Sequence, residues 1–90
     1  MVLSVKRHKN FLKDLRKVKL SDKHYAKYIL YISKLIERKP LPDEAFNHPL
    51  KGTYAGYYEF HISGDVLIIY KLTDAELWLI RIGSHSELFQ

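Results

Sequence analysis

A chain of 90 residues, 47% apolar and 13% aromatic, has the makings of one folded domain around one core (1–90). It has no cysteine, which excludes a disulfide framework or thiolate metal site and suits a reducing cytosol, and no apolar run long enough for a bilayer span or a signal peptide. Fifteen Lys and Arg against ten Asp and Glu leave a net charge of +5, which favours a polyanionic partner such as nucleic acid or, more plainly, a solubility charge on helix faces.

Val2 to Lys6 is short, β-branched and alternating, and predicts a first strand. From His8 to Val18 the apolar residues Phe11, Leu12, Leu15 and Val18 fall at helical spacing. Ser21 is suited to N-cap a second helix, whose stripe is Tyr25, Tyr28, Ile29, Ile32, Leu35 and Ile36. Pro40 forces that helix to end before it. The two helices should form a hairpin with one apolar face that needs a sheet to cover.

Leu41 to Thr53 reads as the longest loop and carries His48 and Lys51. Strands follow: Tyr57 to Ile62, with Glu59 and His61 on one face and Tyr58, Phe60 and Ile62 on the other; a tight turn at Ser63-Gly64-Asp65; then Val66 to Leu72, apolar enough for a central strand covered on both faces. A second turn leads into Leu77 to Ile82, and a short last strand is expected near Leu88. The fold class is α+β, a helical hairpin packed on one face of an antiparallel sheet of about four strands. The opposite face is left for function.

On that face the alternation gathers a carboxylate, an imidazole and a guanidinium: Glu59, His61 and Arg81, the last expected to share its face with Leu77 and Leu79. Arg81 has the planar fork that grips phosphate oxygens, although a Glu59–Arg81 ion pair across strands is the plainer reading. His61 and Asp65 bracket the turn, His85 follows the last strand, and His48 precedes the meander. Two histidines can divide the roles of proton acceptor and proton donor, as cleavage of RNA through its 2′-hydroxyl requires, with no metal and no cofactor. Three histidines and an aspartate are also metal-ligand types, but no HExxH helix or Cys/His finger supports a metal. Ser84-His85-Ser86 cannot be a triad, because neighbours on an extended chain face opposite ways. His8 and His24, at helix starts, read as solvated surface residues. Tyr25, Tyr28 and Tyr58 read as packing; Tyr54 and Tyr57, if exposed, could stack a base; Phe89 could plug the core or stack on substrate.

The order strand–helix–helix–meander, with His48-Pro49-Leu50-Lys51-Gly52, Glu59-Phe60-His61-Ile62, Asp65 and Gly83-Ser84-His85-Ser86-Glu87-Leu88-Phe89, resembles the YafQ-type toxins of the RelE superfamily over essentially the whole chain. The resemblance implies a RelE-like microbial-ribonuclease fold and metal-independent, ribosome-dependent endonucleolytic cleavage of mRNA. It implies a cytoplasmic protein, the toxin half of a type II pair, neutralised by a cognate antitoxin. Carried over by position, it makes His48, His61, Asp65 and His85 catalytic, and Lys51, Glu59, Arg81 and Phe89 residues of the RNA-binding face. His85 is then the principal proton-transfer group, with His48 and His61 assisting. Two positions depart from the pattern: Tyr58 stands where many relatives have Arg, and Val66 where relatives carry Trp. Loss of a cation at Tyr58 shifts phosphate binding to Arg81 and Lys51, or leaves a non-catalytic module that binds RNA, ribosome or antitoxin on the same scaffold.

Overall fold

In the computed structural model, which describes residues 2–89, the elements run β1 (Ser4–Arg7), α1 (Lys9–Lys17), α2 (Asp22–Ile36), β2 (His48–Pro49), β3 (Tyr58–His61), β4 (Leu67–Leu72), β5 (Glu76–Gly83) and α3 (His85–Leu88). Two 3-10 turns, Asp43–Ala45 and Gly52–Tyr54, flank β2. The strands form one sheet in the order β1-β5-β4-β3-β2. β1 runs parallel to β5, and the other pairs are antiparallel. The sheet therefore has five strands rather than about four. The extra one is the two-residue β2, inside the segment expected to be loop; Pro49 lacks a donor and is tolerated at a sheet edge.

Both helices begin on a side chain. Ser21 Oγ accepts from the His24 amide at 3.2 Å, as its position before the apolar run predicts. His8 is more than a surface residue: its Nδ1 accepts from the Asn10 amide at 3.1 Å and caps α1. α2 ends before Pro40, with Arg38 in the left-handed region (φ 59°) and the Lys39 amide closing on the Lys34 carbonyl.

The main core joins Phe11 of α1 and Tyr31 and Leu35 of α2 to Phe60, Ile68, Tyr70, Leu77, Leu79 and Ile82 of the sheet. Its centre line on α2 is rotated from the expected stripe. Tyr31 is 1% exposed, whereas Tyr25 and Ile29 are half exposed. The Tyr31 ring is buried edge-on against Phe60. Tyr58, expected on the core face, does stack on Tyr70 but keeps 38% of its surface exposed at the sheet's margin.

β4 is central and covered on both faces, as its unbroken apolar run predicts. Ile68 and Tyr70 face the helices, while Leu67 and Ile69 join a second cluster with Leu88, Leu50, Tyr54, Tyr57, Ile80 and Phe89. The face opposite the helices is thus only partly free. The C-terminal residues that complete this cluster are helical rather than a strand. Ser84 Oγ accepts from the Glu87 amide and the Glu87 carboxylate accepts from the Ser84 amide, a capping box that starts α3 immediately after β5. Gly83 permits the tight return: a Cβ there would lie 3.2 Å from Glu87 Oε1 and 3.4 Å from Leu88.

One irregularity corrects the expected facing of β5. Ile69 pairs with Arg81, but Tyr70 pairs with Leu79, so Ile80 is an extra residue in the ladder. Leu77 and Leu79 therefore face the helices, and Arg81 falls in the row of Ile69 and Glu59.

Candidate active site

The sheet register brings the titratable groups to one end of one face. His48, Glu59, Ile69 and Arg81 form one row across β2, β3, β4 and β5; His61, Leu67 and Gly83 form the next. His85 begins α3 two residues past Gly83. His61 and Gly83 are two strand spacings apart, about 10 Å, with the side chain of Leu67 between them.

The tightest constellation is on β2 and β3. Glu59 is 2% exposed, and its Oε2 lies 3.0 Å from His61 Nε2 and 3.2 Å from His48 Nε2. Its Oε1 is buried without a hydrogen-bond partner among the described residues. Both imidazoles stay partly exposed. His48 Nδ1 lies 2.7 Å from the Phe46 carbonyl, which can only accept, so this nitrogen carries a proton. Glu59 Oε2 thus sits between the two rings and fixes the position of both. With Nε2 donating to Glu59, His61 would present Nδ1 as an acceptor. At 2% exposure Glu59 lies behind the face it was expected to line.

Arg81 is not paired with Glu59. Its Nε and Nη2 bond Asp14 Oδ2 and Oδ1 at 2.6 and 3.1 Å, a fork-to-fork pair, while Asp14 Oδ2 also accepts from the Ile82 amide at 3.1 Å. The Asp14 carboxylate and a hydrogen bond with Tyr54 raise the Arg81 pKa further above the ordinary value for its guanidinium, against the lowering effect of burial. Nη1 lies outside the Asp14 fork. Asp14 was missed in the sequence, being one acid among the basic residues of α1; it anchors that helix to the end of β5. Around the pair opens a cleft of about 430 Å³ lined by Lys17, Lys19, Asp65, Ser84 and Glu87 together with Asp14 and Arg81. Asp65 and Arg81 are thus brought together, and the imidazoles of His48 and His61 are not in that lining. Lys51 is exposed beyond β2, before the Gly52–Tyr54 turn.

His85 is exposed at the first turn of α3. Its ring centroid is 4.5 Å from that of Phe89, which meets Tyr54 edge-on at 5.6 Å. Phe89 therefore does two jobs: it packs on the second cluster and backs the His85 ring. Tyr54 and Tyr57 are half-buried in that cluster. Phe46 was not foreseen. It is 64% exposed, with its ring centroid 4.6 Å from His48 and 5.8 Å from His61. Its position next to Asn47-His48 was the available signal, hidden by an assignment of the whole stretch to loop.

Residues 3–90 match the family described as "Bacterial toxin of type II toxin-antitoxin system, YafQ". The mRNA interferase toxin YafQ of Escherichia coli K12 is 39% identical over 87 residues, 97% of this chain and 80% of its own. The toxin–antitoxin complex DinJ–YafQ of E. coli contains a chain that superposes with a TM-score of 0.85 at 32% identity, covering 100% of both chains. A copper-bound mutant toxin from Helicobacter pylori superposes with a TM-score of 0.83 at 38% identity, over 97% of this chain and 99% of its own. With the family matched over all but the first two residues and the fold shared throughout, the chain belongs to the YafQ toxins of bacterial type II toxin–antitoxin systems.

Proposed function

We propose that this single-domain toxin is an endoribonuclease of the mRNA interferase class that cuts messages on the translating ribosome by metal-independent acid–base chemistry in the cytoplasm, and that a cognate antitoxin restrains it. The observation that carries the reading is the His48–Glu59–His61 cluster, with His85 on the same face of the sheet, in a chain 39% identical to a protein named an mRNA interferase toxin.

Each group then has a task. His61, held by Glu59 through Nε2–H, takes the proton of the ribose 2′-hydroxyl at its free Nδ1. The 2′-oxygen attacks phosphorus, the P–O5′ bond breaks, and His85 protonates the departing 5′-oxygen. The products are a 2′,3′-cyclic phosphate and a 5′-hydroxyl. His48, on the other side of Glu59, assists, and the Arg81 edge outside the Asp14 fork and Lys51 hold the flanking phosphates and supply positive charge beside the phosphorane. Phe89 keeps His85 in place. Asp65, at the turn that lines the same cleft as Arg81, assists in placing the substrate.

The reading is tested by primer extension on ribosomes programmed with one defined message, comparing chelator-treated wild type with His61→Ala and His85→Ala. Each variant should lose about 100- to 10,000-fold in cutting rate while keeping the fold, as removal of a general acid or base does. Cuts restored to the chelated protein only by added copper would replace the mechanism with a metal-dependent one. Ribosome binding without cuts by wild type would make the chain a binding module.

A further inference from the structure

We propose that Phe46 is the stacking platform for a nucleobase next to the scissile phosphate. The proposal rests on the ribonuclease reading above and names the part of the substrate that the histidines' own neighbourhood takes.

Phe46 has φ 48° and ψ 49°, the left-handed region that large side chains rarely adopt. Such strain persists only where the surroundings dictate it, and it concentrates at functional positions. The surroundings here are a 3-10 turn closing through the Phe46 amide to the Asp43 carbonyl at 3.0 Å, and the His48 Nδ1–H bond to the Phe46 carbonyl. Those contacts explain the backbone but not the side chain. Asparagine or glycine would take this conformation more cheaply and offer the same amide and carbonyl. The phenyl ring is kept although most of its surface stays in water.

What the ring faces suggests its use. It lies over His48 and edge-on to His61. Between it and the β3–β4 turn is a hollow of about 300 Å³ whose lining includes Lys27, Glu44, His61, Ser63 and Gly64. That is room for a flat group against the ring, with polar partners at its edge. RNA bases splayed from the strand stack on such aromatic faces, whatever the base. The ring's distance from His61 puts a base stacked there within one nucleotide of a phosphate at that imidazole. A protein partner could also cover an exposed Phe, but the contact with both histidines favours the substrate.

The test uses the full chain on ribosomes programmed with one message, either cleavable or carrying a 2′-O-methyl at the cut site so that binding is read without cutting. Phe46→Ala and Phe46→Leu should weaken binding and raise KM by about tenfold, the loss of one stacked base. Phe46→Trp should bind at least as well as wild type. Phe46→Asn, which suits the left-handed backbone, guards against misfolding and should behave like Phe46→Ala. Wild-type binding and KM in the Ala and Leu variants would overturn the proposal. So would a fall in kcat alone, shared by the Trp variant, because the residue would then act only through His48. Loss of antitoxin neutralisation with intact cutting and binding would reassign the ring to the antitoxin. If wild type binds but never cuts, the ribonuclease reading fails while weaker binding by Phe46→Ala still upholds the platform. If wild type neither binds nor cuts, both fall.

Discussion

Two imidazoles converge on one buried oxygen of Glu59, while its Oε1 has no hydrogen-bond partner among the described residues. Replacing the acid by Gln keeps the shape and an acceptor but removes the carboxylate that sits between the two rings. Glu59→Gln should therefore fold as wild type and cut at least about tenfold more slowly, the smaller part of the 100- to 10,000-fold that a whole acid or base is worth. Single-turnover rates on programmed ribosomes, beside a urea melt, check both halves. Glu59→Ala should also destabilise, by about 1–3 kcal/mol, because two part-buried rings lose their acceptor. That His61 shares a face with Glu59 was legible in the sequence, since alternation along β3 fixes it. The task of Glu59 was not: alternation along β3 gives the face a side chain points to, but not how deep it lies or which of several cations reaches it.

α3 is four residues long and cannot stand on intrinsic propensity. It is held by the capping box and by Leu88 and Phe89 on the second cluster. Ser84→Ala should cost about 1 kcal/mol and release His85 with it, slowing cutting several-fold without touching substrate. The same box sets a pH limit. Bonds from the Ser84 amide and hydroxyl hold the Glu87 carboxyl below its ordinary value of 4.5. A lowered folded-state pKa means that the contribution is present above about 4.5 and fades as the pH falls through the lower value. Amide exchange at Leu88 and Phe89 should accelerate in that acid window, and Glu87→Ala should show the fast exchange already at neutral pH. β1, β3, β4, β5 and both long helices could be read from period and caps, but not the two-residue β2. The bulge at Ile80 could not, because it arises where β5 must both continue the main core and turn Arg81 to Asp14, a residue 67 positions away. The same holds for α3, whose Ser-x-x-Glu box was printed in the sequence but overshadowed by the apolar residues after it.

Across the molecule, the seven tyrosines divide by burial rather than by function. Burial raises the pKa of Tyr28 and Tyr31, and pushes that of Tyr70 up to about 12, with the hydrogen bond to Asn47 acting in the opposite direction. A phenol whose folded-state pKa is raised contributes fully below about 10 and loses that contribution as pH rises through the folded value. The protein should therefore lose stability in alkali between about 10 and 12. Tyr70→Phe should be less sensitive there, while losing about 1 kcal/mol at neutral pH with the Asn47 bond; urea melts across the range would show it. The net charge of +5 acts on the other side of function. RNA and an acidic antitoxin would both answer to it, and binding that neutralises several phosphates releases as many counterions. Affinity for programmed ribosomes should thus fall steeply with added salt, and the slope should shrink by about one when Lys51 is replaced by Ala, as expected for one lost phosphate contact. Antitoxin competition should weaken in the same salt range if the antitoxin covers Lys51 and Arg81 with carboxylates. A complex whose affinity ignores salt and both substitutions would mean that the antitoxin neutralises from elsewhere, leaving the basic face to RNA alone.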